Sequence, residues 1–227
     1  MCGRSSLHDA PVSVLEKFEL PPVLPGFEPR YNIAPTQNQW TVAQDAGRRP
    51  VAAQKRWGLI PSWASDPAIG NRMINARSDT IASKPAFRDL VRDHRCVILA
   101  DGYYEWTGEG KSRVPMFFHM KEHEPFVMAG IWDRWRRGDL SYETCTVITT
   151  DANQWASQFH HRMPVLLPLD AAVKWVDRAT PLHEALAMLR AYEGSDLECY
   201  EVSRFVNSPA NDSAECIAPA EKDLFGA

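Results

Sequence analysis

The apolar residues of this chain come in short runs, and that brevity constrains the fold more than any other feature. There are 17 prolines and 12 glycines in 227 residues. Proline inside a helix removes a hydrogen bond and clashes with the preceding turn, so this punctuation excludes long helices. The runs at 39–44, 51–59, 96–100, 101–106, 115–119, 126–131 and 142–149 are rich in β-branched and aromatic residues and read as strands. Brief strands are also expected at 165–167 and 200–206. The runs at 39–44 and 51–59 form one expected hairpin, and those at 115–119 and 126–131 another. Helical spacing is confined to short pieces around Val12–Leu20, with Ser13 as cap, and at 78–83, 86–93, 170–176 and 182–189. A further short helix is expected to begin at Asp151 and end near His160. Many short strands with interspersed short helices predict an α+β fold, a single domain over 1–227 built on a mainly antiparallel, barrel-like sheet. Residues 219–227 read as a mobile acidic tail.

Bulk properties narrow the function classes. No run of about 18 apolar residues exists to span a membrane. The five cysteines (2, 96, 145, 199, 216) are odd in number and widely spaced. That reads as a reduced, cytoplasmic protein with neither a disulfide framework nor a zinc ribbon. Cys96 and Cys145 fall in apolar runs and read as core. The net charge is −4, which argues against a strongly basic nucleic-acid binder. Residues 1–100 nevertheless hold 13 Lys and Arg against 9 Asp and Glu, leaving room for a locally basic, salt-sensitive face.

The opening Met1-Cys2-Gly3-Arg4 carries the most distinctive chemistry. Once Met1 is removed, Cys2 presents an α-amine and a thiol on adjacent carbons, with reference pKa values of about 7.7–8.0 and about 8.5. Such a pair captures an aldehyde: the amine forms an imine and the thiol closes a five-membered thiazolidine. The competing reading is a frayed terminus. Glu105 stands among Tyr103, Tyr104 and Trp106, where burial would raise its pKa and suit it to proton transfer, unless the strand turns it to solvent. His160-His161 offers an acid–base imidazole or an ordinary surface doublet. Asn75 and Arg77 flank a small Ala76, so an amide and a guanidinium can share one ligand, or the stretch can simply precede a helix. Trp63 is a stacking platform or a core residue. His119-Met-Lys-Glu-His123 has zincin spacing but bridges two strand-like runs, so it reads as a loop and no metal is expected.

In order along the chain, Met1–Arg4, Arg30–Pro35, Arg56–Trp63, Ile74–Thr80, Asp101–Trp106, Ile148–Asn153 and His160–Pro164 resemble the motifs of the SOS response-associated peptidase (SRAP) family, the abasic-site processing proteins. The resemblance implies a protein of the DNA-damage response that shields abasic sites in single-stranded DNA. It implies a covalent cross-link from Cys2, removal of Met1 by autoproteolysis, and lyase-like chemistry at the lesion. Carried onto this sequence, it makes Cys2 the nucleophile and Asn75 the group orienting sugar or amine. Glu105 becomes the proton-transfer group and His160 the acid–base for sugar opening. Arg4, Arg77 and Thr149 become phosphate contacts, and Trp63 the wedge or stacking residue. It implies no cofactor, no membrane partner and a monomer. One departure is His161, where the family often has an acidic residue.

Two other classes compete. A cysteine amidohydrolase of the glutamine amidotransferase type also opens Met-Cys-Gly, but it needs an Asn-Gly oxyanion element that this chain lacks. A non-catalytic single-strand binding module would leave Cys2 without a role.

Overall fold

The computed structural model describes residues 2–220, and Met1 and the acidic residues 221–227 lie outside them. The described residues contain twelve strands and four short α-helices, with short 3₁₀ turns between them. The strands are β1 (Ser5–Leu7), β2 (Arg30–Ile33), β3 (Asn38–Gln44), β4 (Pro50–Trp57), β5 (Asn75–Arg77) and β6 (Arg95–Ala100). They continue with β7 (Gly102–Thr107), β8 (Val114–Met120), β9 (Phe126–Arg137), β10 (Leu140–Asp151), β11 (Arg162–Pro164) and β12 (Leu197–Glu201). The helices are α1 (Val12–Lys17), α2 (Leu90–Asp93), α3 (Leu169–Val176) and α4 (Leu182–Ala187).

Two sheets result. In the larger, β10, β4, β3, β6 and β9 pair in sequence, and β9 pairs back onto β10, closing a barrel. Closure leaves those strands no free edge. The smaller sheet has the order β12-β8-β7-β1-β2. The class is therefore α+β, mainly antiparallel and barrel-like. Two parallel pairings, β10 with β4 and β10 with β5, break the antiparallel rule.

The core explains the geometry. Strand β6 is buried along its whole length, as its unbroken Cys-Val-Ile-Leu-Ala requires of a strand covered on both faces. Trp175 of α3 lies against it and donates through Nε1 to the Cys96 carbonyl at 2.9 Å. Cys96 and Cys145 are fully buried, as their apolar runs predict.

Several sequence expectations are corrected. The runs at 115–119 and 126–131 do not pair: β8 joins β7 and β12, while β9 joins β6 and β10. The connecting His119–His123 stretch is a strand end and a single 3₁₀ turn. The expected helix at 78–83 is a series of turns, and of 86–93 only α2 is helical. Proline at 85 splits the helical pattern too finely for a helix to nucleate. The last strand is β12 at 197–201, and Arg204–Asn207 turns into a 3₁₀ helix. Asp151 ends β10 instead of opening a helix, and β11 forms at 162–164 instead of 165–167. Ser13 makes no cap, since Pro11 precedes α1. Pro219 bridges Val202, and the Ala220 amide donates to Glu201, so the first two residues of the expected tail are held.

Candidate active site

The site sits where the two sheets meet at Cys2. The short strand β1 lies between β2 and β7, pairing Ser5 with Ile33 and with Tyr103. The Tyr104 amide also donates to the Arg4 carbonyl, so antiparallel pairing continues toward the N-terminus and brings Cys2 and Gly3 alongside Glu105. A buried carboxylate anchors β1 from the other end. Asp101 is fully buried and accepts from Ser6 Oγ at 2.5 Å, from the Asp9 amide at 3.0 Å and from the His8 amide. The His8 imidazole stands 2.9 Å from the same carboxylate and stacks on Tyr31.

Cys2 itself is fully buried. Burial raises its thiol pKa far above the ordinary value, and the Glu105 carboxylate adds to the rise. Asn75 donates from Nδ2 to the Cys2 carbonyl at 2.8 Å. Its own Oδ1 is buried with no donor among the described residues. Asn75 reaches this position because β5 runs parallel to β10, with Asn75 beside Val147 and Arg77 beside Thr149.

Glu105 is buried on β7, and burial raises its pKa, with the charge of His161 pulling the other way. The carboxyl is thus kept in its protonated form at higher pH than a solvated one. His160 and His161 stack with ring centroids 4.3 Å apart. His160 Nδ1 lies 3.1 Å from the Arg162 carbonyl and 3.0 Å from the Arg162 amide, and the tautomer that donates to the carbonyl places the ring's lone pair on Nε2. Burial lowers the pKa of His160, and Arg113 and Arg162 add to the lowering. His160 is therefore a neutral imidazole near pH 7, ready to accept a proton.

The sequence-derived set is only partly gathered in one place. Cys2, Asn75 and Glu105 adjoin one another, and the stacked histidines reach the same group through Glu105 and His161. Arg77 lies nearby on β5, exposed and paired with Asp79 at 2.7 Å, an ion pair weak enough to exchange for another anion. Thr149 departs from its expected role: it is buried, and its carbonyl and hydroxyl receive Arg162 Nη2 at 2.6 and 3.3 Å. It holds an arginine instead of facing a ligand. Arg4 turns to the smaller sheet, giving Nη1 to Asn32 Oδ1 at 2.6 Å and to the Val206 carbonyl at 2.7 Å, with its guanidinium over the Trp106 ring. Trp63 is 64% exposed on a loop. The base of that loop is pinned by Trp135 Nε1 donating to the Ala64 carbonyl at 2.8 Å.

Three participants were not singled out from the residues alone. Arg162 is the last polar member of the His160–Pro164 motif, yet no spacing shows that its guanidinium would lie under β10. Asn32 stands inside the Arg30–Pro35 motif, and its amide also caps the carbonyls of Val206, Ser208 and Asn211. Asp101 ends an apolar run, which places a carboxylate at a buried strand end but does not identify its donors. Among the described residues, no group of three or more His, Cys, Asp or Glu is arranged to hold a metal. No helix among them is long and apolar enough to cross a membrane.

The family model for SOS response associated peptidase (SRAP) matches residues 1–209. The abasic site processing protein YoaM of Bacillus subtilis is 40% identical over 223 residues, covering 96% of this chain and 97% of the relative. The abasic site processing protein HMCES of Gallus gallus is 36% identical over 228 residues, covering 86% of this chain and 67% of the relative. Among solved structures, a protein from Bacteroides thetaiotaomicron superimposes with a TM-score of 0.85 at 26% identity, covering 96% of this chain and all of the other. A phage-related protein from Bordetella bronchiseptica gives 0.72 at 30% identity, covering 88% and 94%.

Proposed function

The chain belongs to the SRAP family, whose relatives are named abasic site processing proteins, and from this we propose that it captures abasic sites in single-stranded DNA through Cys2. The observation that carries the proposal is the Asn75 amide, which holds the Cys2 carbonyl at 2.8 Å beside the buried Glu105. That contact fixes the one residue able to offer an aldehyde both an amine and a thiol.

Loss of Met1 frees the α-amine of Cys2. The ring-opened abasic sugar presents an aldehyde carbon. The amine adds to it, forming a carbinolamine, and water departs to leave an imine. The Cys2 sulfur then adds to the imine carbon, the nitrogen takes a proton, and a thiazolidine closes. Each step moves one proton, and Glu105, which burial holds protonated to higher pH than a solvated carboxyl, is the group placed to exchange it. It protonates the departing hydroxyl and takes the proton of the thiol, whose own pKa is too high for it to ionise unaided. His160 accepts the sugar hydroxyl proton as the ring opens and returns one on reversal. The unpartnered Asn75 Oδ1 is the acceptor for the freed amine.

Removal of Met1 belongs to the same site, as an autoproteolytic step. Asn75 grips the carbonyl one peptide bond beyond the Met1–Cys2 bond, so it holds the leaving amine's residue and not the carbonyl under attack. Arg77 lines the approach as a phosphate contact, and Trp63 is exposed for stacking.

The test is incubation of Met1-free protein with a single-stranded oligonucleotide carrying one abasic site, followed by a denaturing gel. A heat-stable, shifted band that Cys2→Ala abolishes is expected. Its absence from the unmodified protein overturns the proposal.

A further inference from the structure

We propose that Arg4, Arg113 and Arg204 form a phosphate-binding cavity, floored by Trp106, that grips the single strand on the smaller-sheet side of Cys2. The cavity measures about 490 Å³ and is lined by these three arginines with Trp106, Gly110 and Asn207. Among the described residues, no carboxylate lines it.

Several arginines of this protein have carboxylate partners and several do not. Arg30 pairs with Asp212, Arg49 with Asp45, Arg77 with Asp79, Arg134 with Glu143 and Arg162 with Asp151. Arg113 and Arg204 are among those without: within the described residues neither side chain has an ion pair or a hydrogen bond, and both line this one cavity. Arg4 also has no carboxylate partner among them, and its Nε is buried without an acceptor. Three guanidiniums converging without a counter-charge repel one another unless solvent or a bound anion intervenes. Their planar forks suit phosphate oxygens.

The floor is fixed. Trp106 Nε1 donates to Asn207 Oδ1 at 2.7 Å, and the Arg4 guanidinium lies 5.5 Å from the centre of its ring. Arg113 stands close enough to His160 for its charge to act on that ring, so the rim of the cavity reaches the histidine doublet. Arg77, exposed on β5, belongs to the larger sheet. Arg4, Arg113 and Arg204 belong with the smaller one, beside β1, before β8 and after β12. A strand passing Cys2 thus meets arginines from both sheets.

The anion is that of the proposed function, so the inference rests on that reading. The experiment separates the two by using an undamaged oligonucleotide, on which no covalent step occurs. Binding of a labelled single strand is followed by fluorescence anisotropy across a salt series for unmodified protein, Arg113→Ala/Arg204→Ala and Lys174→Ala. Lys174 is an exposed lysine on α3 and serves as a charge control. Each lost phosphate contact lowers the slope of log K against log salt by about 0.7. The double variant is expected to bind roughly tenfold more weakly at low salt, with a slope smaller by about 0.7 or more. Arg113→Lys/Arg204→Lys is expected to keep the slope and lose part of the affinity. Lys174→Ala is expected to match the unmodified protein. A double alanine variant with unchanged affinity and slope overturns the cavity, as does failure of the unmodified protein to bind the strand. If the double variant weakens binding while the unmodified protein forms no cross-link at an abasic site, the cavity stands and the Cys2 chemistry falls.

Discussion

At the scale of single residues, the site depends on burying groups that water would otherwise keep ordinary. Asn75 illustrates positioning. Removing it deletes a hydrogen bond worth about 1 kcal/mol and frees the Cys2 carbonyl. Asn75→Ala is expected to slow cross-linking about tenfold, equivalent to about 1.4 kcal/mol of lost positioning. Gel-based time courses on abasic DNA would show it, and an unchanged rate would leave Asn75 without a role. Glu105 illustrates the conflict between chemistry and stability. Its folded pKa lies above the ordinary 4.5, so the folded chain holds that proton more tightly than the unfolded one. Below pH 4.5 both states are protonated and no penalty exists. As pH rises past that value, the unfolded state ionises freely, the folded state does not, and stability falls. Glu105→Gln is therefore expected to stabilise the protein at pH 7 by about 1 kcal/mol, a gain that vanishes near pH 4, while abolishing cross-linking. Urea titrations at the two pH values check the sign. The sequence shows Glu105 as a carboxylate among aromatics, and that much is legible because aromatic neighbours predict burial. The roles of Arg162 and Asn32 are not legible, because they depend on which carbonyls the tertiary fold leaves pointing at them.

At the scale of elements, two features hold the reactive segment in register. The first is the packing of β7 at Gly102. A Cβ there would lie 2.1 and 2.2 Å from Phe117 ring atoms and 2.9 Å from Ser6 Oγ. Gly102→Ala is expected to cost about 2–3 kcal/mol in urea unfolding, because the ring of a buried, central strand has nowhere to move. The second is the Asp101 anchor of β1. Burial pulls the His8 pKa down, but the hydrogen bond and charge of Asp101 outweigh it and the pKa ends above 6.5. The stabilisation His8 supplies is complete below pH 6.5 and is lost as pH rises through the raised folded value. His8→Phe, which keeps a ring against Tyr31, is expected to flatten the stability profile above pH 6.5, and a slope that persists would assign it to another group. Most strands were readable from their short apolar runs, since β3, β4, β6, β7 and β10 fall where alternation or unbroken burial puts them. Their partners were not. The runs forming β8 and β9 are close in sequence and look like a hairpin, yet closing the barrel uses β9 twice and leaves β8 for the other sheet. Strands of three residues, such as β1 and β5, carry too few side chains to show a period at all.

At the scale of the whole molecule, the uneven charge of the sequence does not become a basic half and an acidic half. The smaller sheet takes β1 and β2 from the first hundred residues and β7, β8 and β12 from the rest. Basic side chains meet locally instead, as at the cavity of Arg4, Arg113 and Arg204. Burial is also distributed unevenly over the thiols. Cys2, Cys96, Cys145 and Cys216 are buried and Cys199 is half-buried. With Met1 retained, a brief pulse of iodoacetamide on the native protein is expected to modify Cys199 first, with all five thiols labelled only in denaturant. Intact-mass measurement counts the adducts, and rapid modification of Cys2 in the native protein would contradict its burial.

The seating of β1 between β2 and β7 has a consequence in time. Its neighbours are residues 30–33 on one side and 102–103 on the other, and Asn75 is held by β10 beyond residue 147. Ribosomes deliver about 5–20 residues per second, so on the order of 5–20 s pass between the synthesis of Cys2 and that of Glu105. During that interval the thiol is solvated and has an ordinary pKa. The newborn chain therefore carries its most promiscuous nucleophile, and completing the fold is what restrains it.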